Sequence, residues 1–327
     1  MTNLKQNSSN LQNQSNTNEE NLLRTEKKYN QKQNIYQKIT DLIIEQLKQG
    51  RIPWERPLIN NCRPQNLISG HLYNGINPLI LTNAKTPYFM TFKQAKQIKA
   101  IVKKGAKSKP VVFWSVGAYK KENEDGELED KKSFILKYYN VFNISDIENI
   151  PAKYLDKTHL NKTNNIEIQT AENIINNYPN PPKFEYCTGT PHYSPNDDII
   201  RTPQKDYFKT SSHFYSTVFH EIGHSVGHKS RLNRFKAKGL SARFGGRDYA
   251  KEELTAELTA SFLMAETGES VNIKNRTAYI QSWLTVLNND NKLLISSAGK
   301  AEKAVNYILN KQVEIKKNNN DKSKKAA

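Results

Sequence analysis

The sequence predicts an α+β chain in two parts: a small α+β module over residues 35–150, then a mainly helical one over 166–311. Three observations predict it. Apolar residues recur at helical spacing just after residue 34 and again in four segments beyond residue 210. Two short apolar runs, 111–116 and 134–144, read as strands. A length of 327 residues is comfortable for two domains.

The elements follow in chain order. Residues 1–34 are rich in Asn, Gln, Ser and Lys and nearly free of large apolar groups, so they are expected to be a disordered tail. Ile35, Ile39, Leu42, Ile43 and Leu47 recur at three and four residues, an amphipathic helix closed by Gly50 and followed by Pro53. The stretch 91–105 reads as a basic helix ended by Gly105. The charged run 121–132 between the two strands is expected to be a hairpin tip or loop. Residues 151–165 read as a linker, the second domain begins with a helix-like stretch over 166–178, and punctuation by Gly, Pro and Asp predicts loops beyond it as far as 205. Helices are expected at about 211–228, 249–268, 276–288 and 297–310. Residues 312–327 form a second, basic tail.

Composition excludes several classes. The two cysteines, Cys62 and Cys187, rule out a disulfide framework and a cysteine-type zinc site, and a reducing, cytoplasmic setting is the default. No apolar run approaches a membrane span, and the N-terminus has no apolar core of a signal peptide. The chain carries 49 Lys+Arg against 32 Asp+Glu, a formal charge of +17, which favours an acidic partner such as nucleic acid.

His220-Glu221-Ile222-Gly223-His224 is an HExxH motif. On a helix, residues four apart stack on one face, so both imidazoles can reach one Zn2+ ion. Glu221 sits one step round, placed as the general base towards a water molecule. A zinc hydrolase needs a third ligand. Glu253 and Glu257 lie four apart on a downstream helix, and Glu253 is assigned as ligand with Glu257 orienting a ligand histidine. The exchange of these two roles stays open. His228 competes as third ligand, but three successive imidazoles at this spacing span too much helix for one ion. Tyr193 and Tyr215 are considered as oxyanion donors.

Between Arg51 and Pro110 the chain has eleven basic residues and one acid, Glu55. Aromatic residues are interleaved, among them Trp54, Tyr73, Phe92, Phe113 and Trp114. Single-stranded DNA binding needs this pairing, with cations tracking phosphates and rings stacking on bases. Trp54 and Tyr73 are the expected stacking rings. Lys93, Lys96, Lys99 and Lys103 are expected to line one helix face, with Lys104 and Lys107 beyond it.

The chain resembles the ArdC antirestriction family of mobile-element proteins, which also supply the N-terminal region of some plasmid TraC-type primases. The resemblance runs through Thr91-Phe92-Lys93-Gln94-Ala95, Val111-Val112-Phe113-Trp114 and Tyr139-Asn140-Val141-Phe142-Asn143 in the first half. In the second it runs through the HExxH, Gly227-His228-Lys229-Ser230-Arg231-Leu232, Glu252-Glu253-Leu254-Thr255-Ala256-Glu257 and Tyr279-Ile280-Gln281-Ser282-Trp283-Leu284. It implies an N-terminal single-stranded-DNA-binding domain, a C-terminal zincin-like metallopeptidase domain, and protection of incoming DNA from host restriction. Two departures stand out. Leu58 replaces a second tryptophan, and Lys99-Ala100-Ile101 replaces the usual glycines before the basic turn. The peptidase reading adds a DNA-associated host protein as a possible substrate. The competing reading leaves the metal site purely structural.

Overall fold

The computed structural model describes residues 35–311, apart from 56, 58, 60–61, 123–127, 156–166, 236–246 and 272–275. Both expected tails, Leu58 and most of the expected linker lie outside the described residues. The chain forms two compact units. The first takes its residues from Met1–Pro53, Pro57–Asn161 and Ile273–Ser296, the second from Trp54–Arg56, Lys162–Asn272 and Ser297–Ala327. Two short exchanges therefore interrupt the contiguous division expected from the sequence.

The first unit opens with α1 (35–48). Its buried stripe is Ile39, Thr40, Ile43, Ile44 and Leu47, whereas Leu42 lies off the stripe. Gly50, at φ +75°, ends the helix. Its N–H bonds to the Leu47 carbonyl, and the Arg51 N–H reaches back to Gln46, a left-handed C-terminal cap that glycine adopts without strain.

A four-stranded sheet follows, in the order β1 (Gln65–Asn66), β2 (Tyr88–Met90), β5 (Leu128–Asn143), β4 (Lys109–Glu122). β1 and β2 are parallel, and the remaining pairs are antiparallel. β2 is buried on both faces. Phe89 joins Tyr73, Leu81, Val111 and Val141 on one side, while Tyr88 and Met90 join Leu67, Ala95, Ala100 and Ile147 on the other. α2 (Asn77–Leu81) lies wholly in the core. Its Asn77 exchanges two hydrogen bonds with the backbone of Val112, at 2.8 and 2.9 Å.

Of two expectations for this unit, one holds and one needs correction. The charged run 121–132 lies at the end of a hairpin, as expected, with β4 extending to Glu122 and β5 beginning at Leu128, paired from Lys109↔Val141 out to Glu122↔Leu128. The basic helix is shorter than expected. α3 covers Phe92–Gln97 only, started by a capping box between Thr91 and Gln94. It ends because Lys99 takes a left-handed φ of +60°. The Lys99 N–H bonds to Lys96 and the Ala100 N–H to Ala95, the same capping geometry as at Gly50 but with lysine in the glycine position. Beyond it, β3 (Ile101–Val102) pairs with β6 (Ile147–Glu148). The unit also holds α4 (Ala152–Leu155) and α8 (Arg276–Asn289).

The second unit contains α5 (Glu167–Asn176) and a three-stranded sheet, with order β7 (Lys183–Tyr186), β9 (Ile199–Thr202), β8 (His192–Ser194). α5 falls on the helix-like stretch, whereas loops were expected where the sheet lies. The strands are three or four residues long, and although β7 alternates polar and apolar residues (Lys183, Phe184, Glu185, Tyr186), four positions between Pro- and Gly-containing turns are too few to stand out as a strand in the sequence. After the sheet come α6 (Ser211–Ser225), α7 (Arg247–Glu266) and α9 (Leu293–Ile308), the last counted in this unit from Ser297 onward. Among the described residues no helix is long and apolar enough to cross a membrane.

α6 and α7 pack together with buried residues on both: Phe219 and Ile222 on α6, Val226 at its C-cap, and Leu254, Ala256, Leu258 and Ala260 on α7. Gly223 lets the two backbones approach. A Cβ there would sit 3.0 Å from both Cα and the carbonyl oxygen of Ala256. Trp54, 0% exposed, belongs to this core, and Ser261 donates its hydroxyl hydrogen to the Trp54 carbonyl.

Candidate metal centre

α6 is capped by Thr210, which accepts from the His213 N–H, and continues past the HExxH without a break. His220 and His224 thus project one turn apart towards α7. Their Nε2 atoms are 3.2 Å apart. Glu253 on α7 closes the group: its Oε2 is 3.5 Å from His220 Nε2 and its Oε1 is 3.5 Å from His224 Nε2. One donor atom from each of the three lies within 4.8 Å of the others.

These separations fit a divalent cation. Donors about 2.0–2.1 Å from a tetrahedral ion sit roughly 3.3 Å from one another. Two imidazole nitrogens facing each other can share at most one proton, and a cation lets both present lone pairs. Two imidazoles and one carboxylate are also the donor set that leaves a coordination position free.

Each outer nitrogen faces a carboxylate. Glu257 Oε2 lies 3.2 Å from His220 Nδ1. Glu252 Oε1 faces His224 Nδ1 at 3.4 Å, without the alignment of a directed hydrogen bond, so that buried nitrogen has no hydrogen-bond partner. Glu252 is itself held by Arg234, whose Nη2 donates to Glu252 Oε1 and to the Gly223 carbonyl, both at 2.6 Å. Burial alone would lower the His220 imidazole. Hydrogen bonds to the Glu253 and Glu257 carboxylates, together with the charges of Glu257 and Glu221, outweigh it and push it up to about 10. Burial raises Glu253, but the two histidines outweigh it and hold the carboxyl below its ordinary range.

Glu221 is buried on the same helix. Tyr249, one turn before Glu253, hydrogen-bonds that carboxylate, and burial with the nearby negative charges of Glu253 and Glu221 pushes its phenol up to about 12. Glu252, Arg234 and Tyr249 were not identified as site residues from the sequence. One signal was available: two ligand histidines each need a partner for the second nitrogen, and Glu257 can serve only one.

The other expected residues stand elsewhere. His228 Nδ1 pairs with the Ser230 hydroxyl at 2.8 Å and lies 3.8 Å from Asp198, outside the donor group. The oxyanion donors considered are corrected likewise. Tyr193 donates to Asp198 at 2.7 Å, and Tyr215 donates to Glu172 at 2.5 Å while accepting from Lys205. Asp198, Tyr193 and the fully buried Arg231 instead form a lock between the β8–β9 turn and the end of α6. Arg231 donates to both Asp198 oxygens and to the Ser225 carbonyl.

In the first unit, Trp54 and Tyr73 are corrected as stacking rings. Trp54 is grouped with the second unit, and Tyr73 is 1% exposed, so neither face can meet a base. The lysines are exposed but do not share a helix face. Lys93 and Lys96 are on α3, and Lys99 is in its cap. Lys103, Lys104 and Lys107 lie in the segment between β3 and β4, where Lys103 Nζ also donates to the Ser145 carbonyl. Apart from Phe92 on α3 (61% exposed), the large exposed rings of this unit are on the β4–β5 ribbon. Phe113, Tyr119 and Tyr139 share one face with Lys137, and Trp114 (54%), Phe134 (62%) and Tyr138 share the other.

A family model described as the N-terminal domain of anti-restriction factor ArdC matches residues 33–142, and one described as a zincin-like metallopeptidase matches 170–300. Two crystal structures of the antirestriction protein ArdC from plasmid R388 are 30% identical to the chain. The metal-free one matches with a TM-score of 0.63 over 84% of this chain and 96% of its own, and the Mn(II)-bound one with 0.64 over 84% and 97%. A DNA primase TraC from Escherichia coli is 30% identical over 88% of this chain, which spans only 21% of that primase.

Proposed function

Because the chain belongs to the ArdC antirestriction family, we propose that it is a single-stranded-DNA-binding antirestriction protein of a mobile element, with a zinc metallopeptidase-like centre in its second unit. The observation that carries the DNA half is the ribbon of exposed rings and lysines on β4 and β5, in the same unit as the basic run 93–107. Rings stack on splayed bases and lysines track the phosphates. A fluorescence anisotropy titration with a single-stranded oligonucleotide tests it. Lys96→Ala and Lys104→Ala should each weaken binding and flatten its salt slope by about one charge. Unchanged affinity in both variants would remove this half of the proposal.

A second reading, an active endopeptidase acting on a DNA-associated host protein in the cytoplasm, is favoured by Glu221, for which a purely structural site has no use. His220, His224 and Glu253 would hold the zinc ion, with Glu257 orienting the His220 imidazole and the Glu252 carboxylate facing the His224 one. When bound, zinc supplies a Lewis acid that polarises a scissile carbonyl and acidifies water. The Glu221 carboxylate takes the proton from the attacking water and delivers it to the leaving amine. The Tyr249 hydroxyl stands ready as a hydrogen-bond donor beside Glu253. Glu221→Gln should keep zinc, measured by metal analysis of the pure protein, and abolish cleavage of a DNA-bound protein.

A further inference from the structure

A cavity of about 400 Å³ opens in the first unit between α3 and β5. Its size is at the lower end of small-molecule sites, too small for a folded partner. Carbon supplies most of the wall's surface, the Tyr139 ring included, and polar groups punctuate it: amides of Asn66, Gln94 and Gln97, hydroxyls of Ser69 and Thr91, and the Lys93 ammonium. No lining residue is acidic. The chemistry therefore suits a planar group with several donors and acceptors that is attached to an anion.

The floor is pre-organised. Asn66, almost fully buried, donates its amide hydrogen to Gln94 Oε1 at 3.0 Å and accepts from Gln94 Nε2 at 3.1 Å. Its Oδ1 also accepts from the N–H groups of Ile68 and Ser69. Thr91 fixes Gln94 from the other side. One Gln94 amide hydrogen is left over, because only one of its two is given to Asn66. Among the described residues, Gln97 and Lys93 make no side-chain hydrogen bond. Tyr139 is 36% exposed, its ring lies 5.7 Å from Phe113, and its hydroxyl pairs with Tyr73.

We infer that this cavity is a nucleotide pocket: it takes one unstacked nucleotide of a bound single strand, with the base against Tyr139, its edge on the Gln94 and Gln97 amides, and a flanking phosphate on Lys93. The inference rests on the DNA-binding reading of this unit and adds where the strand is gripped and by which part of it. A pre-ordered amide floor loses little freedom on binding, which is what selects for a base over a mobile polar solute. The ribbon face carrying Phe113 and Tyr119 continues from Tyr139, so neighbouring bases have rings to meet.

The test uses the full chain, a labelled oligothymidylate, and an oligonucleotide of equal length and charge whose sites are abasic. Wild type should bind the intact strand about tenfold tighter or more. Gln97→Ala and Tyr139→Ala should each lose several-fold affinity for the intact strand and little for the abasic one, while Lys96→Ala lowers both alike. Gln97 is an exposed side chain, so its variant tests the pocket without a folding defect. If wild type binds the intact strand but Gln97→Ala and Tyr139→Ala bind it equally well, the pocket is overturned and the DNA reading stands. If wild type binds neither strand, the DNA reading falls and takes the pocket with it.

Discussion

Gly223 and Ala256 are in backbone contact. A single methyl group on Gly223 would press to 3.0 Å against the Ala256 main chain. That contact brings α6 and α7 close enough for Glu253 to reach both imidazoles. Gly223→Ala should push the helices apart, cost about 1–3 kcal/mol of stability, and weaken zinc binding measured by competition with a chelator. Normal zinc affinity in a destabilised variant would mean that the carboxylate reaches the histidines regardless of helix spacing.

The two carboxylates beside His220 should separate by role. Glu253→Gln removes one of the three proposed donors, and the purified protein should lose its divalent metal. Glu257→Gln keeps the three donors and should weaken zinc by about 10–100-fold. The opposite ranking would assign the ligand role to Glu257.

Arg234 ties Glu252 to the Gly223 carbonyl, and both charged side chains are nearly buried. Arg234→Met leaves Glu252 buried without its cation. The expected loss is about 3 kcal/mol in a urea melt, with zinc affinity down about tenfold because the support behind His224 has gone. A change in neither quantity would show that Glu252 is solvated well enough to stand alone.

Asp198 gives the second unit a pH-dependent contribution. Burial raises its carboxyl, but hydrogen bonds from Arg231 and Tyr193 outweigh that and hold it below the ordinary range. A depressed folded value means the stabilisation is present above the unfolded value of about 3.9 and is lost as pH falls through the folded one. Asp198→Asn keeps a residue that tolerates the local φ of +55°. It should cost about 2 kcal/mol at neutral pH, and the gap to wild type should close on acidification. A gap constant with pH would place the effect in packing.

Two tryptophans should respond in opposite ways. Trp114→Ala removes an exposed ring and should weaken DNA binding with little change in stability. Trp54→Ala empties a core position and should cost about 3–5 kcal/mol. A DNA defect confined to the Trp54 variant would contradict the ribbon reading.

The motifs were legible because their chemistry is local. The HExxH puts two imidazoles on one helical face whatever surrounds it, and Glu253 and Glu257 are set one turn apart by the same periodicity. The capping box at Thr91 and the left-handed cap at Gly50 are likewise short-range. Other features depend on contacts between distant residues. Lys99 takes a left-handed conformation in a segment with good helical propensity, because Ile101 and Val102 pair with a strand some forty-five residues later. β7 alternates over only four residues, too short a pattern to stand out from the turns around it. Trp54 and Tyr73 have the composition of stacking rings, but only packing shows that they are interior. Glu252 and Arg234 acquire a role because a glycine permits two backbones to touch. Periodicity and spacing act within a few residues, so the chain's own order specified the helices and the donor spacing. Burial and helix–helix approach are sums over residues far apart in sequence, so the choice of exposed rings and of the partners behind each histidine waited for the folded chain.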